Sequence, residues 1–163
     1  MFSLEIVTLA RLLVDEARER SLRIVTAESC TGGLVAGAIC QVAGASDVFE
    51  RGFVTYSNRA KQELLGIPGD LIADLGAVSE PVARMMAEGA LENSNAHLAV
   101  AITGVAGPGG GTPMKPVGTV HIATARANHG LMHRQEFFEI DDRVGIQLAA
   151  VQSALQMLRD RMA

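Results

Sequence analysis

The chain has 163 residues, 48% of them apolar and 20% charged, with a formal net charge of −4. That size and balance fit one ordered globular domain, residues 1–163, with a single core. The acidic balance and the lack of any Lys/Arg run argue against a nucleic-acid module, whose footprint is a basic face. No apolar run approaches the roughly 18 residues that span a bilayer, so no membrane partner is expected.

Residues 3–20 carry apolar side chains at Leu4, Val7, Leu12, Leu13 and Ala17 with charges between them, which is helical spacing. This amphipathic start is not a secretory signal, so the expected location is the cytoplasm. Residues 23–26 form a short β-branched run and predict a strand. Residues 27–33 are a turn of small residues, followed by a helix over 34–42. Residues 49–56 predict a second strand. Ser57 or Asn58 can cap a helix that runs to about Leu65, where Gly66-Ile-Pro-Gly69 breaks it. Ser79 is a suitable N-cap for a helix to about Glu92, with Glu80 and Pro81 in its first turn. His97–Thr103 predicts a buried strand, and residues 104–116 a loop rich in Gly and Pro. Strands follow at 117–125 and 131–140. The last helix is marked by Val144, Leu148, Val151, Leu155 and Leu158. Aromatics are only 4% and Trp is absent, so the core must be built from Leu, Ile, Val and Ala, which suits strands covered by helices. Strands separated by helices predict a three-layer α/β/α sandwich.

Three small-residue segments follow predicted strands: residues 26–33, 55–61 and 103–111. In open α/β sheets ligands bind beyond the carboxyl ends of strands, so these loops converge on one pocket if their strands are parallel neighbours. In the first, Ser29 stands between a strand and a helix start, and Thr31, Gly32 and Gly33 offer a hydroxyl and backbone N–H groups to a phosphate or an oxyanion. The plainer reading is that Ser29 and Thr31 only cap the helix. No Lys follows the glycines, so this is not a P-loop, and Ala27 rules out the G-x-S-x-G elbow.

The second segment holds Tyr56, the only Tyr in the chain, and Lys61. A lysine base working near neutrality needs its pKa lowered by about 3 units. A helix N-terminus supplies less than about one unit; burial supplies up to roughly 3–5. The alternative is a solvated Lys on an amphipathic helix. In the third segment, Thr103, Gly104, Gly107, Gly109 and Gly110 belong to a connection long enough to be functional or disordered.

Cys30 is a second nucleophile candidate, but a thiolate needs a positive or His partner, and His97, His121, His129 and His133 all fall in the second half of the chain. Cys30 and Cys40 have no companions at metal spacing, so a zinc site is not expected.

Five strings resemble the CinA carboxyl-terminal-domain family: TAESCTGG at 26–33, FERGFVTYSNRAK at 49–61, GAVSEPV at 76–82, TGVAGPGGG at 103–111 and KPVGTV at 115–120. Stand-alone members of that family are nicotinamide mononucleotide deamidases of the PncC type. The resemblance implies a mixed, mostly parallel five-stranded sheet, a homodimer or higher homo-oligomer, and hydrolysis of the carboxamide of a small nucleotide substrate to the acid and ammonia. It implies Ser29 as nucleophile, Lys61 as its base and Tyr56 as a relay or orienting group, with no metal and no cofactor. Thr31, Gly32, Gly33, Ser79, Thr103, Gly104, Gly107, Gly109, Gly110 and Arg143 are the expected substrate-binding residues. Three positions depart from the family pattern. Asp141 stands where the family often has the Gly of a Gly-Asp-Arg start to the last helix. Gln147 replaces a second basic residue four positions after Arg143, and Met114 stands where an acidic residue is common. The rival readings are a non-catalytic nucleotide-binding module and an amidase for another amide such as free nicotinamide.

Overall fold

Helix α1 (Leu4–Glu19) begins where Ser3 accepts a hydrogen bond from the Ile6 N–H, and it buries Ile6, Ala10, Leu13, Val14 and Ala17 along one stripe. The computed structural model describes all residues, 1–163. Strand β1 (Ile24–Glu28) is buried at every position, as a central strand must be. It leads through the small-residue turn into α2 (Leu34–Cys40), then a single 3-10 turn (Ala45–Asp47) and β2 (Phe49–Val54).

Helices α3 (Asn58–Leu65), α4 (Gly69–Leu75) and α5 (Glu80–Glu92) follow, then β3 (Leu98–Gly104), β4 (Thr119–Arg126), β5 (Gly130–Phe137) and α6 (Arg143–Asp160). The sequence pattern does not reveal α4. The Gly66–Gly69 break ends one helix, but Pro68 then stands at the N-cap of the next.

The five strands form one sheet in the order β2-β1-β3-β4-β5. β1 pairs in parallel with both β2 and β3, whereas β3–β4 and β4–β5 are antiparallel. The sheet is therefore mixed in equal parts, not mostly parallel. The reason is local: no helix separates β3 from β4 or β4 from β5, and a connection without a crossover joins antiparallel neighbours.

One face of the sheet packs Leu98, Val100 and Ile102 against α1, α2 and α6. The other packs Ala99, Ala101, Ala123 and Ala125 against α5. In α6, Val151, Leu155 and Leu158 are buried as their spacing predicts, together with Ile146, Ala150 and Ala154; Val144 is exposed.

The alanine-rich face lets backbones approach closely. Buried Gly89 on α5 lies against α3 so tightly that a Cβ there would collide with the Leu65 carbonyl. Gly89→Ala is expected to destabilise the protein by about 2 kcal/mol despite alanine's better helix propensity. Urea unfolding should show a lower midpoint at an unchanged slope; an unchanged midpoint would contradict the close packing.

Candidate active site

The strand order places the carboxyl ends of β2, β1 and β3 side by side, so the turns after them meet. They line a cavity of about 290 Å³. Its floor holds Ser29, Cys30, Lys61 and Thr103. Ala77, Val78, Val105 and Ala106 form apolar walls, and Tyr56, Asn58, Arg143, Gly104, Gly107, Gly109 and Gly110 complete it.

Ser57 is the N-cap of α3, accepting from the Ala60 N–H at 3.0 Å. Lys61 therefore sits in the fourth helical position and points inward, with only 1% of its surface exposed. Its Nζ lies 2.9 Å from Ser29 Oγ, 2.9 Å from the Thr55 carbonyl and 3.3 Å from the Tyr56 carbonyl. Burial pushes the Lys61 amine below its ordinary 10.5, and no carboxylate contributes to hold the charged form. A neutral amine has two N–H donors and one lone pair. Two carbonyls match the donors, and the lone pair is left for the Ser29 hydroxyl proton. Such a pair can abstract the serine proton and return it to a leaving group.

Cys30 lines the same cavity, but burial pushes its thiol up to about 12. It is a poor thiolate there, and the serine is the better nucleophile. None of the four histidines lines the cavity. His97 accepts from the Arg23 N–H at 2.9 Å. His121 and His133 share a 2.9 Å hydrogen bond, and His133 reaches Glu80.

The Tyr56 hydroxyl makes no hydrogen bond to Lys61. It accepts from Arg143 Nη2 at 2.7 Å, while Arg143 Nη1 donates to the Gly107 carbonyl at 2.6 Å. Arg143, at the start of α6, thus ties the β2–α3 turn to the glycine loop and is the cation that the cavity presents. In that loop Gly107 has φ +77° and packs against Val117 so closely that no Cβ fits. Thr103 Oγ1 donates to the Ala77 carbonyl at 3.0 Å and fixes the wall opposite.

Thr31, Gly32, Gly33 and Ser79 lie outside the cavity lining. Thr31 is turned instead to Glu28, a fully buried carboxylate that precedes the nucleophile. Its Oε1 accepts from Thr31 Oγ1 at 2.7 Å and from the Val35 N–H at 2.9 Å, and its Oε2 accepts from the Ala36 N–H at 3.1 Å. The leading donors of α2 are therefore taken by a side chain of the protein itself. Ser79 occupies the N-cap position of α5 without capping it; its Oγ donates to the Gly76 carbonyl at 2.9 Å. The sequence reading missed Glu28, although a carboxylate ending an apolar strand just before a helix is itself a capping signal. It also missed Asn58 and the apolar wall at Ala77 and Val78. No group of three or more His, Cys, Asp or Glu side chains gathers as a metal site, and no helix is long and apolar enough to cross a membrane.

Comparison with known proteins gives one consistent result. The family model described as the CinA C-terminal domain matches residues 6–162. A CinA-like protein of Akkermansia muciniphila is 58% identical over 118 residues, which cover 72% of this chain and 28% of that protein. A CinA-like protein of Anaeromyxobacter dehalogenans is 49% identical over 148 residues, 91% of this chain and 36% of its own length. The chain thus spans about a third of the length of the curated relatives it matches. Among solved structures, the competence/damage inducible protein CihA of Agrobacterium tumefaciens superposes with a TM-score of 0.96 at 47% identity, covering 98% of this chain and 97% of that one. A competence-damaged protein (CinA) superfamily member of Escherichia coli gives 0.90 at 35% identity, covering 96% and 90%.

Proposed function

The chain belongs to the CinA C-terminal domain family, and within it we propose that this protein is an amidohydrolase that converts nicotinamide mononucleotide and water to nicotinic acid mononucleotide and ammonia. The observation that carries this reading is the 2.9 Å contact between Lys61 Nζ and Ser29 Oγ, with the amine buried and without a counter-charge.

Neutral Lys61 takes the Ser29 proton as Oγ attacks the carboxamide carbon. The tetrahedral intermediate collapses when Lys61 returns that proton to the amide nitrogen, which leaves as ammonia. Water, deprotonated by Lys61, then cleaves the acyl ester and releases the acid with Ser29 restored. The apolar walls at Ala77, Val78, Val105 and Ala106 suit a flat pyridine ring. Arg143 is placed to receive the phosphate as a bidentate donor. Tyr56, bonded to Arg143, acts in this scheme as a support for the guanidinium and not as a proton relay.

The test is ammonia release from nicotinamide mononucleotide, its dephosphorylated riboside and free nicotinamide. The nucleotide should be the preferred substrate, because a hydrogen-bonded charge contact is worth about 1.5–3 kcal/mol. Arg143→Ala is expected to raise KM for the nucleotide by roughly 10- to 100-fold with kcat little changed. It should leave KM for the riboside nearly unaltered. Equal turnover of all three amides would remove the phosphate assignment. Nucleotide binding without any ammonia would leave a binding module in place of an enzyme.

A further inference from the structure

The turn that carries Ser29 has several of its polar backbone groups committed. The Ser29 N–H donates to the Ile102 carbonyl at 2.9 Å, the Gly32 N–H to the Ser29 carbonyl at 3.0 Å, and the Leu34 N–H to the Thr31 carbonyl at 3.0 Å. Glu28 consumes the Val35 and Ala36 N–H groups. The Cys30 carbonyl accepts from Gln147 Nε2 at 2.9 Å, a bond that reaches across from α6 over 117 positions of sequence. The N–H groups of Cys30, Thr31 and Gly33 are the exceptions, and of these three residues only Cys30 lines the cavity. The Cys30 N–H is therefore the free donor at the nucleophile. It donates to no other residue; the acceptor near it is its own sulfur. Cys30 itself lines the cavity next to the nucleophile.

We propose that the peptide N–H of Cys30 is the donor that stabilises the oxyanion formed at Ser29, and that Gln147 is the positioning residue that holds it in place. The inference rests on the amidohydrolase reading above. An N–H on the residue after the nucleophile stands at a covalently limited distance from Oγ, which is where acyl-transfer enzymes need a donor. Gly32 and Gly33 are removed from the role, since the Gly32 N–H is already committed and neither residue lines the cavity. Cys30 is held on one side by the Ser29–Ile102 bond and on the other by Gln147. Preorganisation of this kind stabilises the transition state because no donor has to turn during reaction.

An alkyl fluorophosphonate tests the assignment without assuming the natural substrate. Ser29 Oγ bonds to phosphorus, fluoride leaves, the serine proton passes to Lys61, and the phosphoryl oxygen occupies the oxyanion position. Labelling rates are read by intact-mass spectrometry for the wild type and for Gln147→Leu, Gln147→Glu and Gln147→Lys. Loss of an aligned donor costs up to about 10²–10³ in rate, and misalignment costs part of that. Gln147→Leu and Gln147→Glu should therefore label roughly 10- to 100-fold more slowly, with kcat for ammonia release falling and KM unchanged. Gln147→Lys, which restores a donor to the Cys30 carbonyl, should recover most of both rates. A role in folding alone predicts slowing only in proportion to lost folded protein and no recovery specific to lysine. The second readout is the Cys30 amide proton, which should move downfield in the NMR spectrum of the phosphonylated wild type. Gln147→Leu labelling at the wild-type rate, or a Cys30 amide unmoved by phosphonylation, overturns the donor assignment while leaving Ser29 as nucleophile. A wild type that takes no label at Ser29 overturns the nucleophile and the donor together.

Discussion

Ser29→Ala is expected to lower ammonia release from nicotinamide mononucleotide by roughly 10⁴- to 10⁶-fold, the loss seen when a covalent nucleophile is deleted from an acyl-transfer site. The protein should remain folded. The serine side chain makes one hydrogen bond, to Lys61 Nζ, and that amine keeps two carbonyl partners without it. The stability change should be near the 0.5–1.5 kcal/mol of a typical hydrogen bond, about a few degrees in Tm. Nucleotide binding by calorimetry should persist, because Arg143 and the apolar walls are untouched. Ammonia release within about tenfold of wild type would take Ser29 out of the chemistry and move attention to a directly activated water.

Lys61→Met is the second large effect and has two parts. The rate should fall by about 10²–10⁴-fold, the usual contribution of a general base. The wild-type rate should also rise with pH along a limb below 10.5 that the variant lacks, since only the neutral amine accepts the serine proton and burial moves its pKa down. The stability part follows from linkage. Because the folded-state pKa is lowered, the unfolded chain binds more protons than the native one between that lowered value and 10.5, and stability rises with pH across this window. Above 10.5 the amine is neutral in both states and the slope vanishes. Methionine has no such slope. The stability of wild type relative to Lys61→Met should therefore increase as pH climbs through the window and level off above it, whichever protein is more stable at pH 7. Parallel curves from urea unfolding at several pH values would show an amine that is not held neutral by the fold.

Much of the machinery was legible in the chain. The strand–small-turn–helix pattern around 26–33 offered Ser29 as either a nucleophile or a helix cap, and Lys61 as either a buried base or a solvated side chain; the family resemblance implied the catalytic roles. The rule that ligands sit beyond strand carboxyl ends located the pocket correctly, because β2, β1 and β3 are parallel neighbours. Arg143 at the start of the last helix was named by the family resemblance and not by any local pattern. Less legible was the anion-binding role expected of Thr31, Gly32 and Gly33. Their glycines invite a ligand, but the Thr31 hydroxyl is taken by a buried carboxylate three residues earlier and the Gly32 N–H by the Ser29 carbonyl, and composition does not show which partner a polar group has taken. The even mixture of parallel and antiparallel pairs was open to the same reading of connections that identified the sandwich, since no helix follows β3 or β4.

Local sequence determined the elements, the turn chemistry and the kinds of groups available: an alcohol, an amine, a guanidinium and a flexible glycine loop. The tertiary structure alone decided their states and partners. Ser29 and Lys61 are 32 residues apart and meet only through the pairing of β1 with β2. Tyr56 and Arg143 are 87 apart, and their contact gives the tyrosine hydroxyl a guanidinium as its partner. The proton affinity of an amine depends on how much water and opposite charge surround it, and those surroundings are assembled from distant parts of the chain.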